Sequence, residues 1–502
     1  MKNLYSDTIV APATIPGTGA ISIIRVSGPE AFRAADAVVS LKSGSISEKD
    51  GYTIHYGNVV IPNSSSVIPN YSSVIPNSSS VIPSEAEGSP ELLDTVLVSV
   101  FRAPHSYTGE DSVEISTHAS AYIVSELIRL LTEAGCRMAE PGEFTKRAFL
   151  NGKMDLAQAE AVADVISSTT AASHRVAMNQ LRGGFSKELE GLRRELLDMA
   201  SLLELELDFS EEDVEFADRE KLIGLVNNTL SHVEKLAASF HQGNMLRNGI
   251  PVAIVGAVNA GKSSLLNALL GDDRAIVSSV EGTTRDTIEE ILQIGGLSFR
   301  FIDTAGIRES EDTVEKIGIE RTYQKISSAE VVLGVLDSSK NPTDFEADLR
   351  LILEKISGSS ASVFLLLNKA DKLSSCNINN FVTLVNNIVI SIDIKADILP
   401  LSAKTGFGIE ELKSALFASE KALLTAESGT LVTNLRHYEA LTASASSLRR
   451  TADALRTGLP TDLVAEDLRA AIGSVNLILG KDLGLSPEQV LHNIFAHHCI
   501  GK

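Results

Sequence analysis

The sequence predicts a multidomain protein that combines α/β and all-α architecture: a doubly wound α/β domain inserted between two helical stretches, with an α+β domain ahead of them. Three observations carry this. Residues 252–266, VAIVGAVNAGKSSLL, read as a buried strand, a glycine-bracketed loop and the first turns of a helix. From about 249 to 420, short apolar strands alternate with helical patterns, as in a parallel sheet with crossover helices. On both sides of that span, apolar residues recur at i, i+3 and i+4.

Composition bounds the rest. At 502 residues the soft prior is about three domains. A formal net charge of −21 excludes a protein that coats nucleic acid by itself, so an RNA partner would need a local basic patch or a second protein. Cys136, Cys376 and Cys499 lie far apart without CxxC spacing, which argues against a disulfide framework or zinc site and for a reducing compartment. The first residues lack the apolar core of a signal peptide, and no run of about 18 apolar residues occurs. A cytoplasmic location without a membrane span is expected. The terminal Cys-Ile-Gly-Lys is not a prenylation box, because Lys is not one of its usual final residues.

Residues 1–118 are rich in short β-like runs at 20–26, 57–61, 93–101 and 112–117, with a short helical piece at 30–39. Val-Ile-Pro recurs every seven residues from Val60 to Pro83; proline in each repeat excludes a continuous helix, and 61–90 read as a low-complexity inserted loop. Residues 119–248 form the first part of a helical domain, with periodic runs at 156–165, 192–205 and 222–240 and an acidic break at 207–216. Strands at 252–255, 297–302, 331–336, 363–367 and 398–400 build the domain at 249–420. Helical runs at 435–455, 462–479 and 487–495 make 421–502 the second part of the helical domain, expected to pack on the first with the α/β domain looped out.

The chemistry concentrates in that α/β domain. Gly256 through Ser263 fit G-x-x-x-x-G-K-[ST]. Gly256 and Gly261 let the backbone curl, so that N–H groups around Asn259, Ala260, Gly261, Lys262, Ser263 and Ser264 point at phosphate oxygens. Lys262 reaches the β- and γ-phosphates, and the Ser263 hydroxyl suits Mg²⁺. Downstream, Asp303-Thr304-Ala305-Gly306 ends a strand with D-x-x-G, placing a carboxylate on the metal side and a Gly306 N–H near the γ-phosphate. Asn368-Lys369-Ala370-Asp371 follows another strand. Guanine presents two adjacent N–H donors that one carboxylate accepts, so Asp371 selects GTP over ATP, with the Lys369 stem along the base. A backbone N–H in Ser402-Ala403-Lys404 can meet the guanine oxygen. Between P-loop and D-x-x-G lies Ser278-Ser279-Val280-Glu281-Gly282-Thr283-Thr284, a switch segment in which Thr284 is assigned to Mg²⁺. In Ras-like proteins a glutamine after the D-x-x-G glycine orients the attacking water. Here that position is Ile307, which cannot, and the carboxylates between Glu309 and Glu315 offer several substitutes without a choice among them.

The P-loop with Asn259, the GTTRD loop and DTAGIRESEDTVEKIGIER closely resemble the tRNA-modifying GTPases of bacteria and organelles, the MnmE/TrmE family. The resemblance extends through DTIVA at Asp7, SYTGED at Ser106, PGEFT at Pro141, NGKMDLAQAEA at Asn151 and the terminal CIGK. It implies a GTP hydrolase that, with an FAD-dependent partner protein, adds an aminomethyl or carboxymethylaminomethyl group to C5 of the wobble uridine of tRNA. The one-carbon unit would come from methylenetetrahydrofolate. It implies a homodimer whose GTPase domains pair around K⁺, held on matching positions by Asn259 and Thr283 with backbone oxygens near Ser278 and Val280. Glu315 matches the carboxylate that orients water through a bridging water, and Arg25, Glu114, Lys153 and Lys502 match the folate-binding positions. Cys499 matches a thiol placed near the folate site, with nucleophilic and structural roles both open. Three departures stand out: Thr117-His118-Ala119-Ser120 for Cys-His-Gly-Gly, Gly17-Thr18-Gly19-Ala20 for Gly-Arg-Gly-Gly, and Val258 for the usual P-loop proline.

Overall fold

The computed structural model describes residues 6–61, 91–208, 219–271, 290–302, 329–425, 430–481 and 501, with backbone alone at 205–208, 375 and 425. Chain contacts divide it into two compact units, residues 1–163 with 479–502, and residues 164–478.

The first unit is built on a seven-stranded sheet. Its strands are β1 (Ile9–Pro12), β2 (Ile21–Ser27), β3 (Val39–Leu41), β4 (Thr53–Ile61), β5 (Glu91–Phe101), β6 (Ser112–His118) and β7 (Arg137–Met138), in the order β3-β4-β5-β6-β2-β1-β7. Only the β1–β7 pair is parallel. Side chains alternate across the pleat. Ile24 and Val26 of β2, Val96, Val98 and Val100 of β5, and Val113 and Ile115 of β6 turn to a core closed by the helices Ala31–Asp36 and Ala121–Glu133. On the opposite side the same strands carry Arg25 and Glu114, paired across β2 and β6.

The predicted helix at 30–39 is shorter, Ala31–Asp36, and the chain then enters β3. The helix Ala121–Glu133 buries Leu127, Leu130 and Leu131 in the sheet's core, and Phe144 of the next helix joins Ile9, Ala11 and Ala139. The unit therefore extends to residue 163, past the boundary expected at 118, because these amphipathic helices find their apolar partner in the sheet.

The second unit holds a six-stranded sheet: β8 (Ile250–Gly256), β9 (Glu290–Ile294), β10 (Leu297–Ile302), β11 (Val331–Asp337), β12 (Ser362–Asn368) and β13 (Ala396–Pro400), in the order β13-β12-β11-β8-β10-β9. All neighbours are parallel except β9 and β10, whose antiparallel hairpin the apolar pattern did not reveal. Every residue of β11 is buried, as a strand covered on both faces requires. Val252 and Ile254 enter one core and Ala253 and Val255 the other. β8 lies between β11 and β10, so the chain leaves its carboxyl end at the point where the winding direction reverses, where such sheets bind ligands.

The helices Arg219–Ala238 and Leu435–Thr457 of this unit pack on each other although the whole sheet intervenes in sequence. The two stretches are also joined at Gly243, where an added Cβ would lie 2.1 Å from the carbonyl oxygen of Val432, and Gln180 Nε2 donates to the Leu431 carbonyl at 3.0 Å. The predicted helix 222–240 breaks at Ser239, whose hydroxyl accepts the Val432 N–H at 3.1 Å.

Candidate functional site

The nucleotide loop starts where buried β8 ends and closes where the helix Lys262–Leu270 begins. Asn259 adopts the left-handed conformation at φ 61°, and Gly261 follows at φ 99°. Gly261 is required for a second reason: an added Cβ would stand 2.2 Å from Nδ2 of Asn368. The first turn of the helix presents the N–H groups of Lys262, Ser263 and Ser264, which helix geometry leaves without intrahelical acceptors, at the positive end of the helix dipole. The Lys262 ammonium curls over the loop and donates to the carbonyls of Gly256 and Ala257, each at 2.9 Å. Burial, reinforced by the positive charge of Lys355, pulls its amine below the ordinary lysine value.

Asn368, the last residue of β12, is buried and serves as the hub of the site. Its Nδ2 donates to the Ala260 carbonyl at 2.8 Å, and its Oδ1 accepts the N–H of Lys369 at 2.8 Å and of Ala403 at 3.0 Å. One side chain thus ties the phosphate loop, the Asn368–Asp371 turn and the 402–404 loop. The Ser402 hydroxyl donates to Asp371 Oδ1 at 2.6 Å. That bond, with the charges of Lys404 and Lys372, holds the exposed Asp371 carboxyl below the usual carboxylate range. The carboxylate is therefore ionised at neutral pH and bonded through one oxygen to the 402–404 loop.

Lys369 is left-handed, at φ 65°, and sends its ammonium to the Asn259 carbonyl at 2.9 Å and to Asp337 Oδ2 at 2.6 Å. Sequence reasoning missed Asp337. Its signal was the carboxylate closing the apolar run VVLGVLD, which the register sets opposite Asn368. Burial pushes the Asp337 carboxyl up, but the bonds from Lys369 and Ser339 outweigh it and hold the group below its ordinary value.

In the first unit, Arg25 and Glu114 meet as register partners on β2 and β6. Arg25 Nε and Nη2 reach Glu114 Oε1 at 2.9 and 2.8 Å, and Nη1 donates to the Gly501 carbonyl at 3.1 Å. The guanidinium also lies 5.2 Å from the Tyr107 ring centroid and 5.5 Å from that of Phe144. Lys153 Nζ donates to the Pro104 carbonyl at 2.9 Å, and no described bond links it to Arg25 or Glu114. In the altered segment, buried Asp94 accepts both Nδ1 and the backbone N–H of His118, at 2.7 and 2.9 Å.

Residues 8–153 match the family model described as GTP-binding protein TrmE N-terminus, and residues 156–499 match the MnmE helical domain. The chain is 47% identical over 502 residues to a protein of Christiangramia forsetii named tRNA modification GTPase MnmE, covering 99% of each. It is 46% identical over 503 residues to a protein of that name from Bacteroides fragilis, covering 99% of this chain and 100% of the relative. The chain belongs to the MnmE family of tRNA modification GTPases.

For an MnmE-family chain, the described residues bring together Asn259, Ala260, Gly261, Lys262, Asn368, Lys369, Asp371, Ser402 and Ala403 at the carboxyl ends of β8 and β12. The switch positions Ser278, Ser279, Val280, Glu281, Gly282, Thr283 and Thr284 lie outside the described residues, as do Asp303, Thr304, Ala305, Gly306, Ile307 and Glu315. So do Cys499, Lys502 and the Val-Ile-Pro repeats from residue 62 onward. Among the described residues no helix is long and apolar enough to cross a membrane.

Proposed function

We propose that this chain hydrolyses GTP and couples the reaction to modification of C5 of the wobble uridine of tRNA. It acts as a homodimer with an FAD-dependent partner protein and uses a methylenetetrahydrofolate one-carbon unit to install an aminomethyl or carboxymethylaminomethyl group. The single observation that carries the GTP half is the Asn368 hub, which locks the phosphate loop to the Asp371 carboxylate in one rigid frame. The residues present fit the substrate: the close approach at Gly261 keeps that position free of a side chain, the helix N-terminus offers N–H groups without a side-chain cap, and Asp371 is an ionised carboxylate.

The same fit extends to the cations. Ser263 stands in the first helical turn, where its hydroxyl would take Mg²⁺ with Thr284. Asn259, fixed in the left-handed conformation at the loop's tip, would hold K⁺ with Thr283 and the carbonyls near Ser278 and Val280. A monovalent cation there supplies the positive charge that an arginine finger gives other GTPases. Lys262 would bind the β- and γ-phosphates, and Glu315 would orient the attacking water in place of Ile307.

The folate half rests on Arg25 and Glu114. A pterin carries the same N–H and amino edge as guanine, so the Glu114 carboxylate can read it, while Arg25, Lys153 and Lys502 suit the anionic tail. Nucleoside mass spectrometry of tRNA, after reconstitution with the FAD-dependent partner, GTP and methylenetetrahydrofolate, tests the whole reading. Wobble uridine modified only with all components supports it, and unchanged nucleosides refute it. Turnover much faster in K⁺ than in Na⁺, with hydrolysis lost and GTP binding kept in Glu315→Ala, tests the hydrolysis device.

A further inference from the structure

We propose that Asp337 is a positioning residue of the nucleotide site: it anchors Lys369, and through Lys369 it holds the Asn259 peptide in the conformation that guanine nucleotide and monovalent cation use. The cation part rests on the assignment of K⁺ to Asn259 made above.

Two residues of the site adopt the left-handed backbone conformation. Asn259 and Lys369 both have positive φ, at 61° and 65°, a conformation that Cβ disfavours by crowding the following carbonyl oxygen, more so for lysine than for asparagine. They are joined directly, Lys369 Nζ to Asn259 O at 2.9 Å. Such conformations persist only where the surroundings over-determine them. Asn368 fixes Lys369 from its backbone side, through the bond to the Lys369 N–H. The far end of the lysine is fixed by Asp337 at 2.6 Å.

Asp337 is itself immobilised. It is the last residue of a fully buried strand, its side chain is 9% exposed, and its second oxygen accepts the N–H and hydroxyl of Ser339 at 2.9 and 2.6 Å. The carboxylate cannot follow the lysine if the lysine moves. Lys369 therefore spans a rigid strand end and the tip of the phosphate loop, and the Asn259 carbonyl is pinned at a fixed distance from the sheet. Removing the carboxylate releases a half-buried ammonium to solvent, and the Asn259 peptide loses its one described cationic donor. A solvent-exposed ion pair of the same composition would contribute little and act on nothing else.

The test uses the full-length chain with Asp337→Ala and Asp337→Asn. Affinity for a fluorescent GDP analogue is expected to fall about tenfold in Asp337→Ala, the scale of one charge-assisted hydrogen bond. The K⁺ concentration giving half-maximal GTP turnover should rise severalfold. Asp337→Asn keeps the shape and an acceptor oxygen, so it should recover part of both losses, and it carries the test if Asp337→Ala does not fold. Unchanged GDP affinity and unchanged K⁺ half-point in the folded variants, even with a lowered melting temperature, would reduce Asp337 to a structural ion pair and overturn the proposal. If wild-type turnover is equal in K⁺ and Na⁺, the Asn259 cation assignment falls by itself, and the GDP affinity of the variants alone decides the role of Asp337.

Discussion

The side-chain amide of Asn368 donates to the carbonyl oxygen of Ala260 at 2.8 Å, binding the Asn368–Asp371 turn to the glycine-bracketed loop that follows β8. Both groups are buried, so neither has water as an alternative partner.

This closeness makes Gly261→Ala a sharp test. Its Cβ would meet Asn368 Nδ2 at 2.2 Å, and its φ of 99° suits glycine alone. Strain of about 1–3 kcal/mol is expected, enough to lower the melting temperature by several degrees. Nucleotide affinity should fall more than tenfold, because Asn368 must leave Ala260 to make room. Titration with a fluorescent GDP analogue and thermal denaturation measure the two effects; wild-type affinity in the variant would show that the loop and the turn are not coupled.

Asp371→Asn replaces an acceptor with a donor at the atom expected to read the base. Guanine's amino group then meets an amide N–H, whereas xanthine offers a carbonyl at the same place. GTP affinity should drop by about 2–4 kcal/mol while xanthosine triphosphate becomes the better substrate. Steady-state hydrolysis of the two nucleotides checks it, and an unaltered preference for GTP would remove Asp371 from base recognition.

The Arg25–Glu114 pair predicts a separable defect. Arg25→Ala or Glu114→Ala should abolish binding of a reduced folate, measured by calorimetry, with GTP hydrolysis retained, since neither residue belongs to the nucleotide site. Retained folate binding in both variants would leave the pair a structural bridge.

The network under the first sheet sets an acid limit on stability. Fully buried Arg147 bonds Glu143 at 3.0 Å and Asp7 at 2.9 Å, and Arg137 reaches both carboxylates. Burial pushes both carboxyls up, but the arginine bonds outweigh it and leave Glu143 and Asp7 below their ordinary values of 4.5 and 3.8. With folded values depressed, their stabilisation is present above the ordinary values and is lost as pH falls through the lower, folded ones. Arg147 keeps Asp7 and buried Glu110, the latter at 3.3 Å, so Glu143→Gln should cost about 1–3 kcal/mol at neutral pH, the scale of one lost charge-assisted bond, and should flatten the fall in melting temperature below pH ~4.5. Parallel acid limbs in variant and wild type would show that Glu143 does not set the limit.

The doubly wound sheet and the nucleotide loop were legible because they are written in contiguous residues. Glycine spacing around Asn259, β-like runs in the first sheet, continuous apolar runs in the second and helical periodicity each concern a few neighbours along the chain. The predicted strands at 331–336 and 363–367 lie within β11 and β12, and the helical runs at 435–455 and 462–479 within Leu435–Thr457 and Thr461–Leu479. Short or weakly apolar elements escaped, β3 and β9 among them, because three to five residues carry too little pattern to outweigh neighbouring signals.

The sequence by itself determined that the motif G-x-x-x-x-G-K-S at Gly256 is followed by Asp303-Thr304-Ala305-Gly306 with Ile307 after it and then by Asn368-Lys369-Ala370-Asp371. Only the tertiary structure decided that Asp337 holds Lys369, that Asn368 ties Ala260 to Ala403, and that Arg25 joins Glu114 to the Gly501 carbonyl. Each of these depends on strand register and order, which bring residues far apart in the chain within hydrogen-bond reach. No local spacing encodes such a meeting, and its free energy appears only when the buried groups lose water and must find each other.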